Sequence, residues 1–163
     1  MAEKADIERA TAEEFLRVYN AYSRTNFTII EHSDSPDFRC RDTSTGESLN
    51  LEVTNLEDLH GDIQYLVGRG SRQGARSFSQ DTLARFRERI TDKCMSDYGP
   101  SAALVLRQVV PLWTTQDWEM YRDDFQAHIP ADCKATFKKG IWVLTWRDSA
   151  VLSERDIVLL TAS

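Results

Sequence analysis

A chain of 163 residues, 41% hydrophobic and 28% charged, has the size and balance of one globular domain with one core. Its net charge of −6 argues against a protein that simply coats nucleic acid, and no apolar run reaches the length of a membrane span. The polar opening MAEKADIERA does not read as a secretory signal, and Cys40, Cys94 and Cys133 form neither a zinc spacing nor an evident disulfide framework, so a reducing, cytoplasmic setting is expected.

Residues 1–10 read as a flexible lead. Thr11-Ala12-Glu13-Glu14 matches a capping box, and Phe15, Leu16, Tyr19 and Tyr22 recur at helical spacing, which predicts a first helix from Thr11 to Arg24. NFTIIEH, Asn26 to His32, is rich in β-branched residues and predicts a strand. Two more strands, near Asp37–Arg41 and Ser48–Thr54, flank the turn-forming Thr43-Ser44-Thr45-Gly46.

After Asn55 the apolar spacing of LEDLHGDIQYLVG suits a short helix or an ordered loop, and the basic stretch within 68–77 lacks an apolar anchor and reads as a mobile loop. Leu83, Phe86, Ile90 and Cys94 mark a second helix, entered near Ser77 or Ser79 and stopped by Gly99-Pro100. Ala102 to Val110 is a near-continuous apolar run, the pattern of a strand covered on both faces. Trp118, Tyr121, Phe125 and Ile129 give the stripe of a third helix ended by Pro130, and strands at 141–146 and 156–161 close the chain. The order α-β-β-β-α-β-α-β-β predicts a single α/β domain, a mixed central sheet flanked by helices.

A four-residue loop closed by Asp42 and Glu47 sets the register of the hairpin. Numbers of opposed residues then share one sum, 89, so Asp37 stands opposite Glu52 on one face. Phe38, Cys40, Leu49, Leu51 and Val53 fall on the other face and supply a core surface. Two opposed carboxylates repel, and a hard divalent cation relieves that repulsion. The competing reading is a solvated strand face on which Arg39 neutralises one acid.

Charge is unevenly spread. From Gly68 to Lys93 seven Lys/Arg stand against three Asp/Glu, an excess of +4 in a chain of net −6, so the remainder carries −10. Such a basic stripe suits a phosphate track as well as a solvated helix face. No nucleophile-elbow or P-loop pattern is present, and Trp113, Trp118, Trp142 and Trp146 fit core packing better than a base-stacking platform.

Pro36-Asp37, fourteen residues, then Glu52-Val53-Thr54 resembles the core motif of the PD-(D/E)XK nuclease superfamily. The wider layout from Thr11 to Val110 is similar too: a leading helix, an acid-bearing hairpin, a helix and a strand. The resemblance implies a restriction-endonuclease-like core and a Mg²⁺- or Mn²⁺-dependent nuclease, with Asp37, Glu52 and the Val53 carbonyl as metal ligands. Glu14 corresponds to an acid that many members add from the leading helix; its alternative role is in the capping box. Thr54 stands where the motif has lysine. Some members take that lysine from the following helix, which here implies Lys93, otherwise a snorkelling surface residue.

The resemblance also implies nucleic acid as partner, DNA ahead of RNA, with Arg69, Arg72 and Arg76 on the loop and Arg85 and Arg89 on the helix holding the backbone. Double-strand cleavage would then require a homodimer. A different class keeps this fold without chemistry: an inactive nuclease-fold protein that binds or regulates a protein partner.

Overall fold

The computed structural model describes residues 4–56, 84, 86–108, 113–148 and 151–161. Helix α1 (Lys4–Ser23) starts a full two turns earlier than the capping-box pattern predicts. Thr11 is therefore no cap: its Oγ1 donates to the Ile7 carbonyl at 2.8 Å, as a threonine inside a helix does. Thr11, Ala12, Phe15 and Leu16 form the buried face, while Lys4–Glu8 and Arg9–Glu13 pair along the polar side. Arg24, at φ 56, stops the helix, and Asn20 clasps the turn by accepting from the Phe27 amide at 2.9 Å and donating to its carbonyl at 3.0 Å.

Strands β1 (Phe27–His32), β2 (Phe38–Asp42) and β3 (Ser48–Asn55) follow as an antiparallel meander. Residues 86–94 are helical (α2) and lead to β4 (Ala102–Arg107). Three short helices come next, α3 (Thr115–Met120), α4 (Arg122–Ala127) and α5 (Ala131–Thr136), then β5 (Ile141–Asp148) and β6 (Val151–Leu159). The single helix expected over 118–129 is thus two, broken at Tyr121, and α5 is an addition; α3 is opened by Asp117, whose carboxylate accepts from the Thr114 amide at 2.9 Å. None of the described helices is long and apolar enough to cross a membrane.

The six strands form one sheet in chain order, with β3-β4 and β4-β5 parallel and the other pairs antiparallel. This is the mixed sheet that the element order predicts. Alternation sorts the core into two layers. Leu49, Leu51, Val53, Ala103 and Val105 pack against Phe15 and Leu16 of α1. Leu104 and Leu106 pack on the opposite face with Phe86 and Ile90 of α2 and with Trp118, Phe125 and Phe137. The central strands are buried on both sides, which explains the unbroken apolar run of β4.

The hairpin register is the expected one. Phe38 faces Leu51, Arg39 faces Asn50 and Arg41 faces Ser48, all within the sum of 89. The Asp42 amide donates to the Glu47 carbonyl at 2.9 Å, and the Asp42 carboxylate accepts from Ser44 at 2.7 Å and Thr45 at 3.2 Å. The Ser44 amide, foremost, holds this carboxyl below its ordinary pKa. Gly46 closes the loop at φ 78 with open space around its Cα. Gly46→Ala should therefore destabilise through backbone strain alone, by about 1 kcal/mol in urea denaturation. No loss in that experiment would mean the loop relaxes to another turn.

The cysteines depart from expectation. Cys94, at the end of α2, is bonded to Cys133 of α5, with Cα atoms 5.0 Å apart. Their sequence separation of 39 is too large for spacing to pair them. Cys40 stays a buried thiol, its pKa pushed up to about 12 by burial.

Candidate functional site

Strand β2 begins at Phe38, one residue after Asp37, whereas β3 continues to Asn55. The edge of β3 from Val53 to Asn55 therefore has no β2 residue beside it. Asp37 caps this break: its Oδ2 accepts the Val53 amide at 2.8 Å, in the place of a ladder carbonyl. Beside the break lies a cavity of about 650 Å³, lined by Asp37, Glu52, Thr54 and Asn55 of the sheet and by Arg89 and Lys93 of α2. Across it, α1 contributes Lys4, Ile7, Glu8 and Thr11.

Glu52 occupies the strand face that α2 covers. It is only 6% exposed, so the solvated-face reading fails for it. Lys93 reaches down from α2, and its Nζ donates to Glu52 Oε2 at 3.0 Å. The other oxygen, Oε1, is buried with no hydrogen-bond partner among the described residues. Such an oxygen is costly to desolvate unless a cation or water completes it. Arg39 does not intervene; it pairs with Glu31 on the exposed edge at 3.6 Å.

The electrostatics follow from this crowding. Burial raises the Asp37 carboxyl from 3.8 to about 6; the Val53 amide opposes the rise, the Glu52 charge adds to it and Lys93 moderates it. Burial by itself would lower Lys93, but the hydrogen bond and charge of Glu52 outweigh it and hold the ammonium above its ordinary value. Burial, then Glu52, also raises Tyr98. Because the native Asp37 binds its proton more tightly than the unfolded chain does, its contribution to stability is greatest below about pH 4 and is lost as pH rises through about 6. Denaturant midpoints of the wild type should fall across that window relative to Asp37→Asn, which lacks the titration. Parallel curves for the two proteins would contradict the raised value.

Of the residues singled out by sequence, Asp37, Glu52, Val53, Lys93 and Arg89 share this cavity. Glu14 does not: it pairs with Arg17 at 3.2 Å and lines a second cavity of about 290 Å³. Arg69, Arg72, Arg76 and Arg85 lie outside the described residues. The acid that α1 presents to Asp37 and Glu52's cavity is Glu8, with Lys4 one turn before it. Starting the helix at Thr11 hid both; continuing the Thr11–Ile7–Lys4 face backwards at helical spacing would have found them. Asp34, in the turn before Asp37, was missed too and also lines the cavity.

Among the described residues no three His, Cys, Asp or Glu side chains gather closely enough to hold a metal ion, so the close carboxylate set is a pair. Trp118 and Trp142 are buried in the two cores and Trp113 packs against one of them, as expected, whereas Trp146 is only partly buried and lines the second cavity. No protein-family model, curated protein or solved structure matches the chain.

Proposed function

We propose that this chain is a divalent-metal-dependent nuclease, hydrolysing phosphodiester bonds of nucleic acid, DNA ahead of RNA, on a restriction-endonuclease-like core. One observation carries the reading: Asp37, Glu52 and Lys93 converge in one cavity, although Lys93 is 41 positions from Glu52 and belongs to a different element. A lysine supplied from the following helix is what the motif, with Thr54 in its lysine place, requires.

The donor set fits the implied cation. Carboxylate oxygens are hard ligands suited to Mg²⁺ or Mn²⁺, and the unpartnered Glu52 Oε1 is an acceptor in need of a positive partner. Asp37 and Glu52 would hold the ion, with the Val53 carbonyl as the further ligand that the resemblance implies. When bound, such an ion supplies Lewis-acid polarisation of a phosphoryl oxygen and acidifies water.

The protein's own groups do the rest. Lys93 keeps its proton and places an ammonium beside Glu52, where it can hydrogen-bond a phosphate oxygen or orient a water. Thr54 offers a neutral hydroxyl on the same wall. Arg89 adds positive charge at the cavity for the backbone. The buried setting strengthens each of these interactions relative to water.

A second reading has its own support. The Lys93–Glu52 pair by itself balances one buried charge, which suits an inactive nuclease-fold protein acting through a protein partner. Incubation with single- and double-stranded DNA and RNA separates the two. Cleavage that requires Mg²⁺ or Mn²⁺ and stops with chelator supports the nuclease; Mn²⁺ binding by calorimetry without cleavage supports a degenerate site; neither would leave the binding module.

A further inference from the structure

We propose that the second cavity is a subsite for a phosphomonoester, the terminal phosphate of a nucleic-acid strand whose chain continues to Asp37 and Glu52. This rests on reading the first cavity as a nucleic-acid site and makes strand ends the substrate class. The cavity, about 290 Å³, opens at the carboxyl ends of the parallel strands β4 and β5, where open α/β sheets present ligand crevices. Arg107 is the last residue of β4; Trp146 lies near the end of β5, and Arg155 is its register partner on β6. Along α1, Ile7, Ala10, Thr11 and Glu14 form the facing wall.

Three features suit an anion of this kind. First, the lining carries two guanidiniums against one carboxylate, and that carboxylate, Glu14, is engaged by Arg17 at 3.2 Å. A phosphomonoester carries about −1.5 to −2 charge at neutral pH, more than a diester, and two arginines match the larger charge. Second, Arg155 is held rigidly. It is 7% exposed, its Nη2 donates to the carbonyls of Gln108 at 2.9 Å and Leu144 at 3.0 Å, and its guanidinium lies 3.6 Å from the Trp146 ring centroid. Third, the Trp146 Nε1–H is buried and meets no acceptor among the described residues, so the ring that borders the cavity keeps a donor without its complement behind the wall.

The two cavities adjoin. Ile7 and Thr11 line both, and Arg107 Nη1 donates at 3.4 Å to Oδ1 of Asn55, itself part of the first cavity. A strand anchored by its terminal phosphate at Arg107, with the Arg155 charge behind it, would be led along α1 to the acids.

The test is fluorescence anisotropy in chelator with a short labelled oligonucleotide bearing a 5′-phosphate, a 3′-phosphate or only hydroxyl ends. One phosphate-bearing form should bind about 10-fold tighter than the hydroxyl-ended one, and inorganic phosphate should compete that excess away. Which end gains identifies the polarity, and competition by inorganic phosphate without an end preference overturns the proposal in favour of a free-phosphate site. Arg155 donates to two backbone carbonyls, so the informative variant is Arg107→Gln, which should remove the excess and bring the three forms to one affinity. Equal binding of all three forms by the wild type, or a loss in Arg107→Gln that is the same for all three, overturns the subsite. Chelator keeps the result independent of catalysis: a protein that cuts without end preference sinks this inference alone, and one that prefers ends without cutting sinks only the nuclease reading.

Discussion

Asp37→Asn is expected to lower Mg²⁺- or Mn²⁺-dependent cleavage by about 10³-fold or more while the protein stays folded. The size follows from the several kcal/mol that a bound cation contributes to phosphoryl transfer, at a factor of ten per 1.36 kcal/mol. The fold should survive because the amide of asparagine keeps an oxygen for the Val53 N–H, now held at 2.8 Å, and so still caps the exposed edge of β3. Asparagine also removes a charge that the site opposes, since burial and Glu52 both push the Asp37 carboxyl towards its neutral form. Thermal unfolding near neutral pH should consequently show a midpoint equal to or above the wild type, and calorimetry should show weakened Mn²⁺ binding. Asp37→Ala would mix the catalytic loss with an orphaned amide, which is why asparagine is the cleaner variant. Full activity in Asp37→Asn would move the chemistry away from this cavity altogether.

Lys93→Met is expected to show the second-largest effect, on stability as well as rate. Glu52, with a side chain 8% exposed, would lose the ammonium that pairs with it, and its second oxygen would join the first in lacking a hydrogen-bond partner among the described residues. Breaking a buried pair costs about 3–5 kcal/mol; with the lysine side chain 29% exposed, solvent already screens part of this pair, and about 2 kcal/mol is the better expectation. The loss should shrink in the double variant Glu52→Gln/Lys93→Met, because the stranded charge is then gone. Mg²⁺ should stabilise Lys93→Met more than it stabilises the wild type, since a dication takes the place of the missing ammonium; at about 100 times its Kd a ligand adds about 2.7 kcal/mol. If the group also positions water or phosphate, cleavage should fall by about 10²-fold. Urea denaturation with and without Mg²⁺ checks the first two points. Equal stabilisation of both proteins by Mg²⁺ would place the ion away from Glu52.

Local pattern carried much of the fold. The hairpin register was legible because a four-residue loop and a period of two leave one way to bury Phe38, Cys40, Leu49 and Leu51 together, and that way also places Asp37 beside Glu52. The apolar run of β4 likewise announced a strand covered on both faces. Lys93 was reachable through the resemblance, which implies a lysine from the helix that follows Thr54, combined with the helical offset from Ile90. Boundaries were less legible. The chain before Thr11 is polar and lacks an apolar stripe, so nothing local marks it as helix, and its acid and base at Glu8 and Lys4 went unnoticed as cavity walls. The stripe from Trp118 to Ile129 has helical spacing throughout, but that spacing does not register the break at Tyr121.

Alternation and turn chemistry, properties of neighbours in sequence, were enough to specify the register that brings Asp37 to Glu52. They could not say what covers the strand face that Glu52 occupies. Whether Glu52 is wet or buried, whether Lys93 reaches it, whether Cys94 meets Cys133, and whether Arg107, Trp146 and Arg155 border one cavity all depend on how helices and distant strands dock on the sheet. Docking is set by the summed burial of side chains far apart in the chain, a quantity that no short window contains.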